Sequence, residues 1–321
     1  MAEHSAAPLG GSDPASSAAR SGESLGAVLV FLSALTWSVG GVLARIAEVE
    51  NPWVTVFWRT GTASLFLLAF MVWRDGPRGT LKLFAQMGWP GLAVGICFAT
   101  ASTAFVVALD YTTVANILLM QAGVPLIAAL ISFVLFREPV RLPTWIAIAA
   151  VIGGVGVMVS DSLSGAVSPV GDSLSMLIAF AIAIATVVTR RYADIRMTPA
   201  VFTGSALGWL AAVCVMHNAV PTLAVTPGQL GILILFGASL GLGMAFFTTG
   251  ARMIPSAFAA LIGTAEPILG PVWVWLFLGE TPSPRTVIGG GIILAALIAY
   301  LVWQLSDQHR PQRARAVPPV N

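Results

Sequence analysis

The sequence predicts an all-α integral membrane protein with about ten transmembrane helices, arranged as two inverted five-helix repeats. Three observations predict this fold class: the composition, a series of long apolar runs, and a pattern that recurs in both halves of the chain. Of the 321 residues, 57% are hydrophobic and only 9% are charged, against about 25% charged residues in an average soluble chain. The mean hydropathy of +0.88 agrees with this composition. Most of the protein surface is therefore expected to face lipid.

The apolar runs are long enough to cross a bilayer, because spanning roughly 30 Å of hydrocarbon takes about 20 helical residues. Residues 1–24 are rich in Ala, Ser and Gly and lack an apolar stretch, which predicts a disordered cytoplasmic tail and not a signal peptide. Residues 305–321 are predicted to form a basic cytoplasmic tail. Prolines stand at or beside most ends of the predicted spans. The ten spans are 25–47, 52–73, 84–108, 112–136, 143–159, 172–190, 199–217, 227–250, 256–278 and 286–303.

The basic residues predict the orientation of the chain, since short loops rich in Lys and Arg tend to stay in the cytoplasm. With the amino terminus inside, Arg45 and Arg285 fall on the outer side and Arg59 falls within a span. The other 13 of the 16 basic residues fall on the inner side. We therefore expect a multi-pass protein of the plasma membrane, the bacterial inner membrane, with both termini in the cytoplasm.

A sequence pattern recurs at a constant offset and divides the chain into two repeats. Val124-Pro125 in the first half matches Glu266-Pro267 in the second, with 142 residues between the two prolines. The same offset separates Glu138 from Glu280, each at a predicted helix end before a proline-containing turn. A glycine cluster follows in each half. The two predicted repeats cover residues 25–160 and 170–304.

An odd number of spans in each repeat places the second repeat upside down relative to the first. Inverted repeats are common in secondary transporters, whose substrate site lies near the bilayer midplane between the two halves. This arrangement is the strongest functional indication in the sequence.

The chain resembles the drug/metabolite transporter superfamily, in particular its ten-helix EamA type. The residues that carry the resemblance are Trp37 in an Ala-Leu-Thr-Trp-Ser run, Phe57-Trp58-Arg59, Glu266-Pro267 and the two helix-ending glutamates. The resemblance covers roughly residues 25–304. It implies the movement of amino acids, vitamins, metabolites, dyes or drugs, more often by export than by import, and usually in exchange for protons. One departure is that Val124 stands where the second repeat has Glu266.

Glu266 is the first candidate site residue, because it is predicted about ten residues into its span, or roughly 15 Å along the helix, close to the bilayer centre. An ionisable residue at this depth is a functional candidate by default, here as a proton carrier. The alternative is structural: a protonated Glu266 satisfies backbone groups loosened by Pro267, or the carboxylate pairs with a cation.

Arg59 is the only basic residue that lies away from the ends of the predicted spans, at a depth that differs from that of Glu266 by about 5 Å. One interpretation is an anchor for a substrate carboxylate, or a charge that pairs alternately with Glu266. The other is a helix-packing arginine, or one that snorkels to the outer interface.

Four further polar or aromatic residues within spans are candidates for substrate binding or coupling. Trp37 lies deep enough to line a site through ring contacts, although Trp also anchors helices at membrane interfaces. The amide and hydroxyl groups are weaker candidates, since such groups often join membrane helices to one another. These four candidates are Trp37, Gln121, Asn116 and Thr103.

Several other functions are disfavoured. The sequence contains no phosphate-binding loop of the Gly-x-x-x-x-Gly-Lys-Ser/Thr type, and its three histidines lie in the tails or at the end of a span, so we do not expect an enzyme. A polytopic membrane enzyme is the less favoured alternative, and an importer of a vitamin such as riboflavin is the nearer one. We expect no cofactor, no metal and no nucleic-acid partner. The expected partners are a small-molecule substrate, the lipid bilayer and protons as a coupling ion, with a homodimer left open.

Overall fold

Helices form all the regular secondary structure of the described residues. The computed structural model describes residues 14–137, 140–163, 168–219 and 223–309. Within these residues twelve helices follow one another: α1 Pro14–Ser38, α2 Gly40–Ile46, α3 Pro52–Ala108, α4 Val114–Gln121, α5 Val124–Phe136, α6 Leu142–Leu163, α7 Pro169–Arg191, α8 Thr198–Ala219, α9 Pro227–Gly250, α10 Ser256–Gly263, α11 Ala265–Leu278 and α12 Pro284–His309.

Helix α3 contains two membrane spans. Its 57 residues would extend about 85 Å as a straight helix, nearly three times the hydrocarbon thickness. The backbone leaves helical geometry at Gly76, with φ of 71°, and at Gly88, with φ of 52°. Glycine adopts such positive φ values without the steric cost that other residues meet. The span predicted at 52–73 ends before Gly76, whereas the span predicted at 84–108 begins before the second break at Gly88.

Three further spans are each built from two helices. Helices α1 and α2 are separated at Val39, and α10 and α11 meet at Thr264. Helices α4 and α5 are bent by 42° across a short break. Each pair counts as one span, because neither α2, α4 nor α10 is long enough to cross a bilayer alone.

Counted in this way, the described residues contain ten spans, five in each repeat, and the predicted fold class is confirmed. The first repeat consists of α1 to α6, and the second consists of α7 to α12. Because five spans separate equivalent helices, the two repeats are inverted relative to each other. We call the end of the bundle at which α1 begins and α12 ends the terminal face, and the opposite end the distal face.

The helix breaks in the fourth span of each repeat fall at equivalent positions. Helix α4 ends at Gln121 and α10 ends at Gly263, 142 residues later. Pro125 and Pro267 follow by the same offset. A proline has no N–H to donate to the carbonyl four residues earlier, which is Gln121 in one repeat and Gly263 in the other. The broken helices are therefore a repeated feature of the sequence.

The repeats pack against each other along the whole bundle. Helix α3 packs against α7, α8 and α9, helix α1 against α9, and α6 against α12. Buried apolar side chains such as Met158 and Ile293 fill the contact between α6 and α12. A cavity lies in the interior between the two repeats.

A charge pair joins the repeats at the terminal face, between the span that ends before Gly76 and the α7–α8 turn. Arg196 donates from Nη1 to Oδ1 of Asp75 at 2.8 Å and from Nη2 to Oδ2 at 3.1 Å. This two-point hydrogen bond holds the pKa of Asp75 below its usual value, although partial burial opposes the shift.

We expect Asp75→Asn to lower the stability at neutral pH by up to about 1 kcal/mol, because the pair is partly exposed. A lowered folded-state pKa gives stability that is complete above the unfolded pKa of about 3.9 and disappears as the pH falls through the folded value. Thermal unfolding of detergent-purified protein between pH 2 and pH 7 measures this effect. Asp194→Asn, which changes an exposed carboxyl of the same turn, is the control. A loss in Asp75→Asn that persists at pH 2 would contradict this account.

Candidate functional site

A cavity of about 410 Å³ lies between the two repeats and is lined by residues of both. Most of its wall is apolar, with aromatic side chains such as Phe98, Phe105 and Phe236. Two charged residues line it, Arg59 from the first repeat and Glu266 from the second. The uncharged residues with polar side-chain groups in its wall are Trp37, Ser102, Gln121, Thr186, Ser205, Ser239 and Thr264.

The helix break in the fourth span of each repeat faces this cavity. The break after α4 contributes Gln121 and Ala122, and the equivalent break after α10 contributes Gly263 and Thr264. Interrupted helices at matching positions of inverted repeats mark substrate sites in secondary transporters, because backbone freed from helical bonding is tolerated where it lines a cavity. The equivalent helix breaks of the two repeats therefore meet at the cavity.

Glu266 lies near the amino-terminal end of α11, immediately before Pro267. Its side chain is half-buried and lines the cavity. Among the described residues, no hydrogen-bond donor and no cation pairs with its carboxyl group. The structural alternative, in which Glu266 satisfies the backbone near Pro267 or pairs with a cation, has no contact to support it in this part of the chain.

Arg59 lies in the first span of α3 and is 8% exposed. Its Nη1 donates to the carbonyl oxygen of Ser102 at 3.1 Å and to Oγ of Ser102 at 3.2 Å. The guanidinium carbon lies 4.3 Å from the ring centroid of Phe236 and 5.2 Å from that of Phe105. Cation–π contacts of this kind stabilise a desolvated guanidinium. The side chain thus points into the bundle and does not snorkel to an interface.

Trp37 and Gln121 also line the cavity. The Trp37 indole Nε1 donates to the carbonyl oxygen of Leu240 at 3.3 Å, and its ring lies 5.7 Å from that of Phe247. The Gln121 Nε2 is buried and has no hydrogen-bond partner. The structure therefore brings four of the six predicted site residues to one cavity: Trp37, Arg59, Gln121 and Glu266.

The other two predicted site residues lie elsewhere. Asn116 is 3% exposed and donates from Nδ2 to Asp172 at 2.7 Å and to Thr112 at 3.0 Å, which joins α4 to α7. Thr103 faces α8, where its hydroxyl lies beside Gly208. Neither residue contributes to the described wall of the cavity.

Two further residues have positions that helix spacing does not predict. A spacing of seven residues would place Trp273 on the same helix face as Glu266, and Ser102 is the neighbour of the predicted Thr103. Trp273, seven residues after Glu266, donates from Nε1 to Oγ of Ser38 at 3.0 Å and lines a second, apolar cavity. Ser102 was not among the predicted site residues, although it holds Arg59. No sequence signal distinguishes Ser102 from neighbouring Thr103, whereas the paired prolines could have indicated the broken helices.

Ten spans in two inverted repeats around an internal cavity define the class: a multi-pass membrane protein with the architecture of a transporter. The sequence profile of the EamA-like transporter family matches residues 24–160 and 169–302, one repeat in each range. The chain belongs to this family, and the resemblance inferred from the sequence is confirmed.

Named relatives span most of the chain. The pseudopaline exporter CntI of Pseudomonas aeruginosa is 25% identical over 278 residues, which cover 85% of this chain and 95% of the relative. Protein PecM of Dickeya dadantii is 31% identical over 182 residues, 54% of this chain and 60% of PecM. A solved crystal structure superposes with a TM-score of 0.59 at 19% identity, covering 89% of this chain and 98% of that one, and shows the same fold.

Proposed function

We propose that this transporter is secondary-active and exports a small metabolite, such as an amino acid or a related compound, in exchange for protons. The central cavity is the transport site in this proposal, and the chain lies in the bacterial inner membrane with the terminal face in the cytoplasm. The relative named as a pseudopaline exporter supports export. Export against a gradient needs an energy source, and the proton gradient is the source that the cavity can use through Glu266.

The observation that carries the proposal is the placement of Glu266. Its carboxyl lines a cavity between inverted repeats and has no hydrogen-bond or ionic partner among the described residues. A carboxyl group without a fixed partner can bind either a proton or a group of the substrate. Competition between these two for one site makes the movement of one depend on the movement of the other, which is the requirement for exchange.

The proposed sequence of events follows from the fold. With the cavity open to the cytoplasm, Glu266 releases its proton, and the substrate binds to its carboxylate and among Arg59, Trp37 and Gln121. The repeats then rock so that the cavity opens at the distal face, where a proton displaces the substrate from Glu266. Asn116 and Thr103 lie between helices, where we propose that they hold the bundle during this motion.

The test is Glu266→Gln in proteoliposomes that contain a pH-sensitive dye. We expect a gradient of a transported amino acid to drive proton movement through the wild-type protein, and Glu266→Gln to reduce this movement by about tenfold or more, since its amide does not exchange a proton. Glu50→Gln makes the same change at an exposed position and is the control. The direction of substrate movement relative to proton movement distinguishes export in exchange for protons from import with protons.

Two results would count against the proposal. One is a folded Glu266→Gln protein that transports its substrate with an unchanged dependence on pH. The other is a wild-type protein that moves its substrate in the same direction as protons, which would favour the importer alternative.

A further inference from the structure

The guanidinium of Arg59 is held so that one of its edges lacks partners. Ser102 accepts hydrogen bonds from Nη1, and the rings of Phe236 and Phe105 lie against the guanidinium. The Nε atom is buried without a hydrogen-bond partner, and within the described residues Nη2 makes no hydrogen bond either. The unpaired Nε–H and Nη2–H groups point in the same direction and form one of the two-donor edges of a guanidinium.

A charge in this position needs a counter-charge. Burial of an unpaired cation is expensive, because the lost hydration is not replaced. No carboxylate lies within 4 Å of Arg59 among the described residues, and Glu266, the acid that lines the same cavity, does not form an ion pair with it. An anion that enters the cavity would satisfy both the charge and the unpaired donors.

The geometry and number of donors favour a carboxylate over other anions. Two parallel N–H groups match the two oxygens of a carboxylate, which arginine binds in a bidentate manner. A phosphate dianion would call for additional cations, and Arg59 is the only cation in the described wall. Gln121 provides one more unpaired buried donor, Nε2, in the same cavity.

The rest of the wall suits an apolar body attached to the carboxylate. Phe98, Leu118, Ile178 and Met244 are among the residues around the cavity. A volume of about 410 Å³ falls within the usual range of small-molecule sites.

We propose that the cavity binds a small carboxylate with an apolar body, whose two oxygens accept hydrogen bonds from Nε and Nη2 of Arg59 and from the side-chain amide of Gln121. This inference rests on the proposed function, in which the cavity holds the substrate, and adds the chemical class of the group that is recognised. Ser102 acts as a positioning residue, because it fixes the other edge of the guanidinium.

The experiment uses matched pairs of probes with the full-length protein in detergent: butyrate with butyramide, and 3-phenylpropionate with 3-phenylpropionamide. Isothermal titration calorimetry and thermal unfolding measure the binding. We expect the wild-type protein to bind 3-phenylpropionate about tenfold or more tightly than its amide, as hydrogen bonds to charged groups require. Butyrate should show the same preference with weaker binding.

The variants distinguish an effect of the Arg59 charge on binding from an effect on folding. Arg59→Met should remove the preference for carboxylate, Arg59→Lys should keep a reduced preference, and Gln121→Met should weaken carboxylate binding while leaving amide binding unchanged. Arg78→Met makes the same substitution at an exposed arginine and should behave as wild type. Gel filtration checks that each variant is folded. If Arg59→Met does not fold, Arg59→Lys still tests the proposal.

Three outcomes would overturn the carboxylate site: equal effects of both members of each pair on the wild-type protein, an unchanged preference in both Arg59 variants, or inorganic phosphate competing as well as 3-phenylpropionate. Each of these outcomes is independent of the proton coupling. A protein that lacks the preference but still couples substrate to protons through Glu266 would disprove the carboxylate site and leave the proposed function intact.

Discussion

Gly289→Ala is expected to destabilise the bundle by about 1–3 kcal/mol, the usual cost of forcing extra volume into a packed interior. A Cβ at Gly289 would lie 2.6 Å from Cγ of Met158 and would also meet the carbonyl oxygen of Gly154. A Cβ at Gly154 would lie 2.7 Å from the carbonyl oxygen of Gly289 and 2.7 Å from Cγ1 of Ile293. Helices α6 and α12 therefore touch through their backbones, and a methyl group at Gly154 or Gly289 must push them apart.

The same glycine clusters supply controls for this prediction. A Cβ at Gly153, Gly156 or Gly291 would meet nothing within 4 Å. Alanine at these positions should leave stability unchanged or raise it by up to about 1 kcal/mol, because alanine is the better helix former. Thermal unfolding in detergent, with the folded fraction followed by gel filtration, compares Gly289→Ala with Gly291→Ala. Equal melting temperatures for the two variants would show that the backbone contact carries no energy.

These glycines illustrate how far the sequence could predict the fold. Glycine in a membrane helix is typical of a close helix contact, and Gly154, Gly289 and Gly290 make such contacts. The sequence could not say which members of each cluster are at the contact, because lipid and protein interior are both apolar. A lipid-facing side and a packed side of a transmembrane helix therefore share one composition, and hydropathy does not distinguish Gly153 from Gly154.

The span boundaries were more predictable than the breaks within spans. Length and hydropathy define a span, and both are local properties of the chain. The interruptions at Val39 and Thr264 depend on how the backbone is supported by neighbouring helices. Pro125 and Pro267 were recognised as part of the repeat, but their effect on the carbonyls of Gln121 and Gly263 was not drawn from the sequence.

The partners of buried polar groups were the least predictable feature of the site. Arg59 and Glu266 stood out because charge is rare within spans. The contact of Arg59 with Ser102 and that of Asn116 with Asp172 join positions 43 and 56 residues apart. Helix spacing contains no information on such pairs, since it describes one helix at a time.

Glu280 caps a helix of the other repeat. From its position before α12 one would expect it to cap that helix, but Ser283 does so by accepting a hydrogen bond from the Thr286 N–H at 3.0 Å. Glu280 instead accepts a hydrogen bond at 2.9 Å from the backbone N–H of Val114, the first residue of α4. Its equivalent in the first repeat, Glu138, lies outside the described residues.

Glu280 belongs to a cluster that joins the two repeats at the distal face. Arg45, at the end of α2, donates from Nε to the second carboxylate oxygen of Glu280 at 3.1 Å. Arg45 also donates to the carbonyl oxygens of Leu109 at 2.8 Å and Thr112 at 3.0 Å, in the turn before α4. One carboxylate and one guanidinium therefore join three segments at the distal face, and in the proposed transport cycle we expect these segments to separate when that face opens.

Glu280→Ala is expected to lower the stability by about 1–3 kcal/mol, because it removes a charge-assisted hydrogen bond to Arg45 and leaves the Val114 N–H without its acceptor. It should also open the cavity to the distal side. A cysteine at Ser205, which is buried in the cavity wall, reports this opening in a protein whose two native cysteines are replaced by alanine. An impermeant thiol reagent added from the distal side should label Ser205→Cys several-fold faster when Glu280 is alanine.

Glu280→Gln and Glu50→Ala separate the contributions to this effect. Glu280→Gln keeps an acceptor for Val114 but loses the charge that holds Arg45, so we expect faster labelling with a smaller loss of stability. Glu50→Ala removes an exposed carboxyl group from the same face and should change neither quantity. If Glu280→Ala unfolds at a lower temperature but Ser205→Cys reacts at the wild-type rate, the cluster stabilises the helix ends without controlling access.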